Sequence, residues 1–396
     1  MRNNISIIRN CFGCGVCVIS CPKHIIQMRF NADGFYEPFV TDENKCVNCS
    51  LCLKNCSFYN TEDDFEHSCV DGIASWSNDP EVRAASSSGG TGFEIARYLV
   101  GLGYTFCGVR YNAEKGRAEH YLTDTVDGLK PSEGSKYIQS LTVEAFKKID
   151  FKNGRYVVVG TPCQIASLHR IIERKKAQDR FVLVDFFCHG VPSMFLWRKY
   201  CSYVESGIGK ISYASWRNKQ TGWHDSWAMS ISGSEESAKA DWHDSYNMLI
   251  REKKGFYNSR MSQGDLFYKY FLGHYCLGNQ CTSACRFKMT NSYADIRIGD
   301  LWGDAYKDED KGVTGVLALT TKGKNILEHI TTIHKEQQSV ETVCEGQMKT
   351  NAHPHPLRPL ILRLLKSHRS LSVIDKIVTV IEFPLKALRK AHLIKY

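Results

Sequence analysis

The chain has 396 residues, 43% of them hydrophobic and 23% charged, an ordinary globular composition with length for two or three domains. No stretch approaches the ~18–20 apolar residues of a membrane-spanning helix. The formal charge of +9 invites a nucleic-acid reading, but Leu357 to Tyr396 carries nine Lys/Arg against two Asp/Glu, so +7 sits in the last forty residues and nucleic-acid binding is not expected. The opening MRNNISIIRNC has no apolar run of signal-peptide length. The expected setting is cytoplasmic, where thiols stay reduced and clustered cysteines read as metal ligands or redox groups.

Cys11, Cys14, Cys17 and Cys21 are spaced C-x2-C-x2-C-x3-C, and Pro22 follows. Cys46, Cys49, Cys52 and Cys56 repeat the spacing, with Ser57 in place of the proline. A [4Fe–4S] cube needs one thiolate per iron, and three cysteines on a tight loop reach three corners. The fourth cysteine of each run is carried away and serves the other cube. The expected sets are therefore Cys11, Cys14, Cys17 and Cys56 for one cluster, and Cys46, Cys49, Cys52 and Cys21 for the other. Zinc sites use separated C-x2-C pairs, not a third cysteine two residues further on. Residues 1–60 thus resemble a bacterial two-cluster ferredoxin domain, which implies a small α+β module with pseudo-twofold symmetry.

The polar NTEDDFEHS reads as part of a linker over 61–72. SSSGGTGFEIARYLVGLG reads as a loop opening a helix, with Phe93, Ala96 and Val100 on one face. Ser86 to Ser88 are cap candidates there, and Gly89 and Gly90 let an anion approach the helix N-terminus. YVVVG, QIASLHRII and FVLVDFF form a strand–helix–strand pattern, a parallel βαβ unit. Its strands end at GTPC and CHGVPS, which puts Cys163, Cys188 and His189 at the carboxyl edge of a sheet, where open α/β sheets place ligands. The alternative for these cysteines is ordinary core packing. Cys276, Cys281 and Cys285 precede a further strand, ADIRIGD. Cys69, Cys107, Cys201 and Cys344 are isolated and read as packing residues. HPHP at 353–356 reads as an extended turn. The basic tail reads as amphipathic helices interrupted at Pro384, either packed on the domain or contacting a membrane surface or a protein.

SSSGGTGFEIARYLV, GSKYIQS, VVVGTPCQIASL, DFFCHGVPS, WRNKQTGW and ADIRIGDLWG together resemble the beta-subunit family of coenzyme F420-reducing hydrogenases and dehydrogenases, in the family's order over about residues 70–305. The resemblance implies a flavoprotein with FAD on an α/β core and iron–sulfur clusters beside it. Its members act on F420, chlorophyll intermediates or unassigned substrates of bacterial surface-polysaccharide gene clusters. By resemblance, the flavin lies near Ser87, Ser88, Gly89, Gly90, Ser135, Lys136, Gly160, Thr161 and Pro162, with Lys136 serving phosphate oxygens or the flavin edge. Cys163, Cys188 and His189 are the candidates for the reacting side, His189 as proton donor. Arg217 and Lys219 are candidates for an anionic substrate, with Trp223 stacking nearby. Cys163, Cys188, Cys281 and Cys285 are a candidate set for a third cube, although C-x3-C departs from the closer pair expected in the family.

The expected fold is an α+β ferredoxin-like iron–sulfur domain, then an α/β domain with a mixed, partly parallel sheet over 73–335, then a helical basic C-terminal segment over 336–396. The expected function is an iron–sulfur flavoprotein oxidoreductase that exchanges electrons with an external donor or acceptor such as ferredoxin and acts on an unknown organic substrate. The rival is an electron-transfer adapter subunit that feeds a catalytic partner.

Overall fold

The computed structural model describes residues 3–62, 65–225, 227–234 and 256–390. Its first two strands, β1 (Ile26–Phe30) and β2 (Tyr36–Val40), form an antiparallel hairpin. Short helices at Val16–Ser20 and Leu51–Lys54 carry Cys17 and Cys52. The internal repeat of the sequence is also a repeat of the backbone. Gly13 and Gly15 adopt φ of 66° and 73°, and their counterparts Asn48 and Ser50 adopt 51° and 58°. Glycine enters this left-handed region freely and asparagine tolerates it, whereas Ser50 holds it at some cost. At Gly13 there is a second demand: an added Cβ would collide with the Gln139 side chain and the Tyr36 carbonyl.

The remaining strands are β3 (Asp71–Ser77), β4 (Thr105–Asn112), β5 (Arg117–Thr123), β6 (Tyr156–Val159), β7 (Phe181–Phe186), β8 (Ile211–Ser215), β9 (Ala228–Gly233), β10 (Phe256–Arg260), β11 (Ile296–Asp300), β12 (Thr314–Ala318) and β13 (Ile333–Gln338). Eight of them form one sheet in the order β13-β3-β12-β11-β7-β6-β4-β5. The β11/β7, β7/β6 and β6/β4 pairs are parallel, and the pairs toward both rims are antiparallel. The sheet is therefore mixed with a parallel centre.

The central strands are apolar on both faces because both faces are covered. Val157, Val182 and Val184 meet Ile95, Ala96 and Leu99 of the helix Thr91–Gly101. Tyr156, Val158, Phe181 and Leu183, the alternate residues of the pleat, meet Ile165, Leu168 and Ile172 of the helix Pro162–Arg174. That helix begins at Pro162, earlier than QIASLHRII indicates. Proline suits a first helical position, where no N–H partner is needed. Cys163 consequently lies in the first helical turn rather than on a loop.

β8, β9 and β10 form a separate antiparallel sheet. It shares a core with the helices Met194–Ile208, Leu266–Leu272, Arg358–Lys366 and Leu371–Lys390. Three expectations about the chain's course need adjusting. β3 starts at Asp71, inside the expected linker. β13 runs through Gln338, because it pairs with β3 over Ile333–Gln338 and so extends past residue 335. The last helix is continuous through Pro384. A proline inside a helix removes the hydrogen bond its absent N–H would make and crowds the carbonyl four residues back, yet the helix runs past it to Lys390.

The parallel centre is pinned by a buried ion pair. Arg297 on β11 and Asp185 on β7 are both fully buried, and Nε and Nη2 of the arginine donate to the two carboxylate oxygens at 2.7 Å each. Ser292 Oγ adds a third donor to Asp185 at 2.6 Å. Arg297 also donates to the carbonyls of Met289 and Asn291, so it holds the segment leading from Cys285 into β11. Arg297→Met leaves an uncompensated carboxylate among the strands and is expected to cost about 3–5 kcal/mol. The test is the urea midpoint of anaerobically prepared protein. The double variant Asp185→Leu/Arg297→Met is expected to recover most of that loss, and equal instability of the single and double variants would refute the account.

Candidate functional site

The thiols of the first sixty residues line two separate cavities. One is bounded by Cys11, Cys14, Cys17 and Cys56 with Ile5, Phe12, Met28 and Phe58. The other is bounded by Cys21, Cys46, Cys49 and Cys52 with Ile25, Ile26 and Val40. In each case the fourth cysteine of one run stands beside the first three of the other. The four thiols of the first cavity are buried, whereas Cys49 at the second is exposed. Cys46 is half-buried, and Cys21 and Cys52 are buried, so the second set reaches solvent through Cys49 and the first is wholly enclosed. The Gly13 N–H lies 3.4 Å from Cys11 Sγ, and Asn4 Nδ2 lies 3.3 Å from Cys46 Sγ. Such donors orient and stabilise sulfur that carries negative charge. Burial pushes the Cys56 thiol up to about 11 and raises Cys11, Cys14, Cys17 and Cys52 as well.

Side chains of the sheet domain grip this module. Gln139 accepts from the Tyr36 N–H at 2.8 Å and donates to the Phe12 carbonyl at 3.1 Å. Thr142 Oγ1 donates to the Cys14 carbonyl at 2.8 Å. Ser57, directly after Cys56, receives a hydrogen bond from Ser167 Oγ at 2.7 Å and donates to the Cys163 carbonyl at 3.2 Å. Ser57 occupies the position where the first run has proline, and its hydroxyl ties the first thiol set to the helix that begins at Pro162.

Cys163, Cys188, Cys281 and Cys285 come together although they span more than a hundred residues of sequence. Burial raises the Cys163 thiol well above its usual range. Its hydrogen bond with Thr161 opposes this, and negative charge on Cys188, Cys281 or Cys285 would raise it further. Burial followed by charge on Cys285 puts Cys188 at about 11, and burial followed by charge on Cys188 puts Cys281 at about 12. Gly190 gives Cys281 room, because a Cβ there would lie 3.2 Å from the Cys281 Cβ. Cys163 and Cys285 pack on Phe12, Ala166 and Phe287, so Phe12 borders both this set and the first cavity. Among the described residues no three His, Cys, Asp or Glu side chains converge closely enough to share one ion. A cube makes a different demand, one thiolate at each of four irons. Cys276 stays outside this group, fully buried in the aromatic core with Cys107 and Cys344 likewise buried.

β3, β11, β7, β6 and β4 all run in one direction, so their carboxyl ends share an edge. Ser87 to Gly90, Gly160 to Pro162 and Cys188–His189 follow such ends. The glycine loop is fixed in place: Ser88 Oγ donates to the Val313 carbonyl at 2.7 Å, the Gly89 N–H donates to Thr314 Oγ1 at 3.0 Å, and Ser135 N–H donates to Ser87 Oγ at 2.8 Å. Gly90 caps the helix Thr91–Gly101 at φ 88° with no side-chain acceptor on its first amides. A glycine-capped helix of this kind offers N–H groups to an anion. Thr161 differs, since its N–H already donates to Gln164 Oε1 at 2.9 Å.

Several side chains have other work than the sequence indicates. Lys136 does not extend toward an anion. Its ammonium donates to the carbonyls of Pro131, Glu133 and Gly134 at 3.2, 2.7 and 2.9 Å, and burial lowers its pKa to about 7. Arg217 is fully buried and forms a two-pronged pair with Asp300 at 2.9 and 3.3 Å. Lys219 donates to the carbonyls of Arg83, Ser88 and Lys311, which braces the glycine loop. Trp223 is buried, stacks on Trp302 at 4.8 Å and donates to Asp300 at 2.9 Å. A cation neutralised this way, or an indole already stacked, has little left for a substrate. His189 meets His274, Nε2 to Nε2, at 3.0 Å, and burial lowers its pKa to about 4, so it is a neutral imidazole near pH 7. Asp300, the acid at the end of ADIRIGD, was legible as a strand-end residue. His274 lies 85 residues from His189, and no spacing signal links the two.

Residues 10–60 match the family described as 4Fe-4S dicluster domain. Residues 153–342 match the family that describes the C terminus of the beta subunit in coenzyme F420 hydrogenase/dehydrogenase. Among solved structures, a chain of the xenon-derivatized F420-reducing [NiFe] hydrogenase complex from Methanosarcina barkeri is similar over 80% of this chain and 94% of its own, at 15% identity and a TM-score of 0.46. Comparison with functionally curated proteins finds no match. The chain is thus similar to the 4Fe-4S dicluster domain over the stretch that holds the crossed cysteine sets, and to the C terminus of the coenzyme F420 hydrogenase/dehydrogenase beta subunit over the stretch that holds β6, β7 and β11 of the sheet's parallel centre.

Proposed function

We propose that the chain is an iron–sulfur flavoprotein oxidoreductase in which electrons enter or leave at the amino-terminal clusters and an organic substrate is reduced or oxidised at the carboxyl edge of the sheet. The observation that carries this reading is the contact sequence from one thiol set to the next. In the set of Cys21, Cys46, Cys49 and Cys52, Cys49 is exposed and Cys46 half-buried, so this set lies nearer solvent. Cys11, Cys14, Cys17 and Cys56 lie inward of them. Phe12 and the Ser57–Cys163 hydrogen bond then join the inward set to Cys163, Cys188, Cys281 and Cys285. The last set adjoins Thr161 and Pro162, at the edge where the glycine loop lies.

Each of the three sets has four cysteines in apolar surroundings, which suits a cube. The uncapped amides after Gly90 and the pinned Ser87–Gly90 and Ser135 backbone suit the diphosphate of FAD. Cubes supply one-electron transfer, and a flavin couples single electrons to hydride transfer. The chain's own residues do the positioning. Lys219 holds Ser88, Ser87 holds Ser135, and Asp300 fixes Arg217 and Trp223. Phe12, Phe58 and Phe287 exclude water between the thiol sets. Phosphate is served by backbone N–H groups rather than by Lys136. His189 and His274 share one proton between their Nε2 atoms.

Protein purified without oxygen is expected to carry about twelve irons per chain from three cubes, against about eight from two. Cys281→Ser is expected to remove about four irons while Cys17→Ser removes a different four; a count that neither variant changes would refute the ligand assignment. The flavin reading is tested by extracting the isolated chain and following dye reduction with a hydride donor. Bound FAD with turnover supports an enzyme, whereas iron without flavin makes the chain an adapter that feeds a catalytic partner. The raised thiols also set a pH dependence. A cube binds thiolates, and Cys188 and Cys281, at about 11 and about 12, are protonated near neutrality. Cluster insertion therefore releases protons and is favoured as pH rises. Iron uptake by the apo-protein is expected to increase from about pH 7 to about pH 9, and a flat profile would contradict ligation by these thiols.

A further inference from the structure

The most exposed large apolar side chains among the described residues are not at the redox centres but on the last helix. Val380 and Phe383 are 73% and 76% exposed, and Val373 is 43% exposed. At 100° per residue these three fall on one stripe together with Lys376. Leu371, Ile374, Val378 and Glu382 lie on the opposite side and are buried in the core shared with the helix Met194–Ile208. The helix is apolar on two faces, and only one of them is covered by described residues.

Its charges are sorted in the same way. Both acids of the tail turn inward: Asp375 pairs with Lys269 at 2.6 Å and accepts from the Tyr270 hydroxyl at 3.2 Å, while Glu382 is buried against the Tyr275 hydroxyl and His355. Arg363, Arg369 and Lys376 are exposed. Lys386, Arg389, Lys390 and Lys395 follow in the sequence without another acid. Lys376 therefore stands within the exposed apolar stripe, and the tail around it is basic in sequence.

We propose that this face of the 371–390 helix lies on the surface of an anionic lipid bilayer, with Val373, Val380 and Phe383 inserted among the acyl chains near the headgroups and the surrounding Lys and Arg beside lipid phosphates. A helix with an apolar stripe and Lys/Arg around it matches an interfacial helix, and each basic residue near an anionic leaflet adds attraction. A stable protein interface buries roughly 800 Å² on each side, more than three side chains in a row supply. No helix among the described residues is long and apolar enough to cross a membrane, so the contact is superficial.

The test is flotation of the full-length chain, purified without oxygen, with vesicles of phosphatidylglycerol and phosphatidylcholine and with vesicles of phosphatidylcholine alone. The expected result is flotation with the anionic vesicles only, reversed by high salt. Val380→Ser/Phe383→Ser should bind about a hundredfold more weakly while keeping its iron content and circular dichroism, since both side chains are exposed. Lys376→Glu should weaken binding without abolishing it. No flotation with anionic vesicles, equal flotation with neutral ones, or unchanged binding by the double variant would each overturn the proposal. So would a dimer of the parent chain that the double variant makes monomeric, because a second copy would then cover the face.

Discussion

Gathering several thiols around one enclosed cavity is the constraint on which the rest of this structure depends. Burial raises the thiols of Cys11, Cys14, Cys17, Cys52 and Cys56, and negative charge on one neighbour raises the next. Such a set is stable as thiolates only when a strongly positive centre shares their charge. The chain meets that demand with short loops whose backbone enters left-handed conformations at matching positions of the two runs. Glycine supplies this freedom in the first run, while Asn48 and Ser50 accept it in the second. The loops are then held from outside by Gln139, Thr142 and Ser167, side chains of the sheet domain. The dicluster module is thus fitted onto the larger domain rather than tethered to it.

The same economy of charge governs the carboxyl edge of the sheet. The cations expected to serve a ligand there are each held by oxygen atoms of the protein: Lys136 and Lys219 by three backbone carbonyls each, and Arg217 by the Asp300 carboxylate. They act as clamps on loops. The helix after Gly90, by contrast, has no side-chain cap on its first turn. Asp185 and Arg297, deeper in the sheet, play the corresponding part for the strands and for the segment that follows Cys285. Fixed loops matter in a redox protein because the spacing between centres depends on them.

The tail solves a different problem with the same kind of sorting. Its inward face carries both acids and a row of aliphatic side chains into the core around Trp197 and Phe271. Its outward face keeps apolar side chains, Val373, Val380 and Phe383, that the described residues do not cover.

Local spacing decided a good deal before any folding was considered. Cysteines two and three residues apart can reach neighbouring corners of one cube whatever the rest of the chain does, so both runs were legible. Runs of β-branched and aromatic residues flanking an amphipathic helix likewise marked the parallel centre of the sheet, because burial on both faces leaves an unbroken apolar pattern. What tertiary structure alone decided are the meetings between residues far apart in sequence. These include Cys163 and Cys188 with Cys281 and Cys285, His189 with His274, Ser57 with Ser167, and the capture of Arg217 by Asp300. A lysine at a glycine-rich loop looks free in a sequence. Whether three carbonyls already hold it depends on how the loop closes, and no periodicity or spacing encodes that.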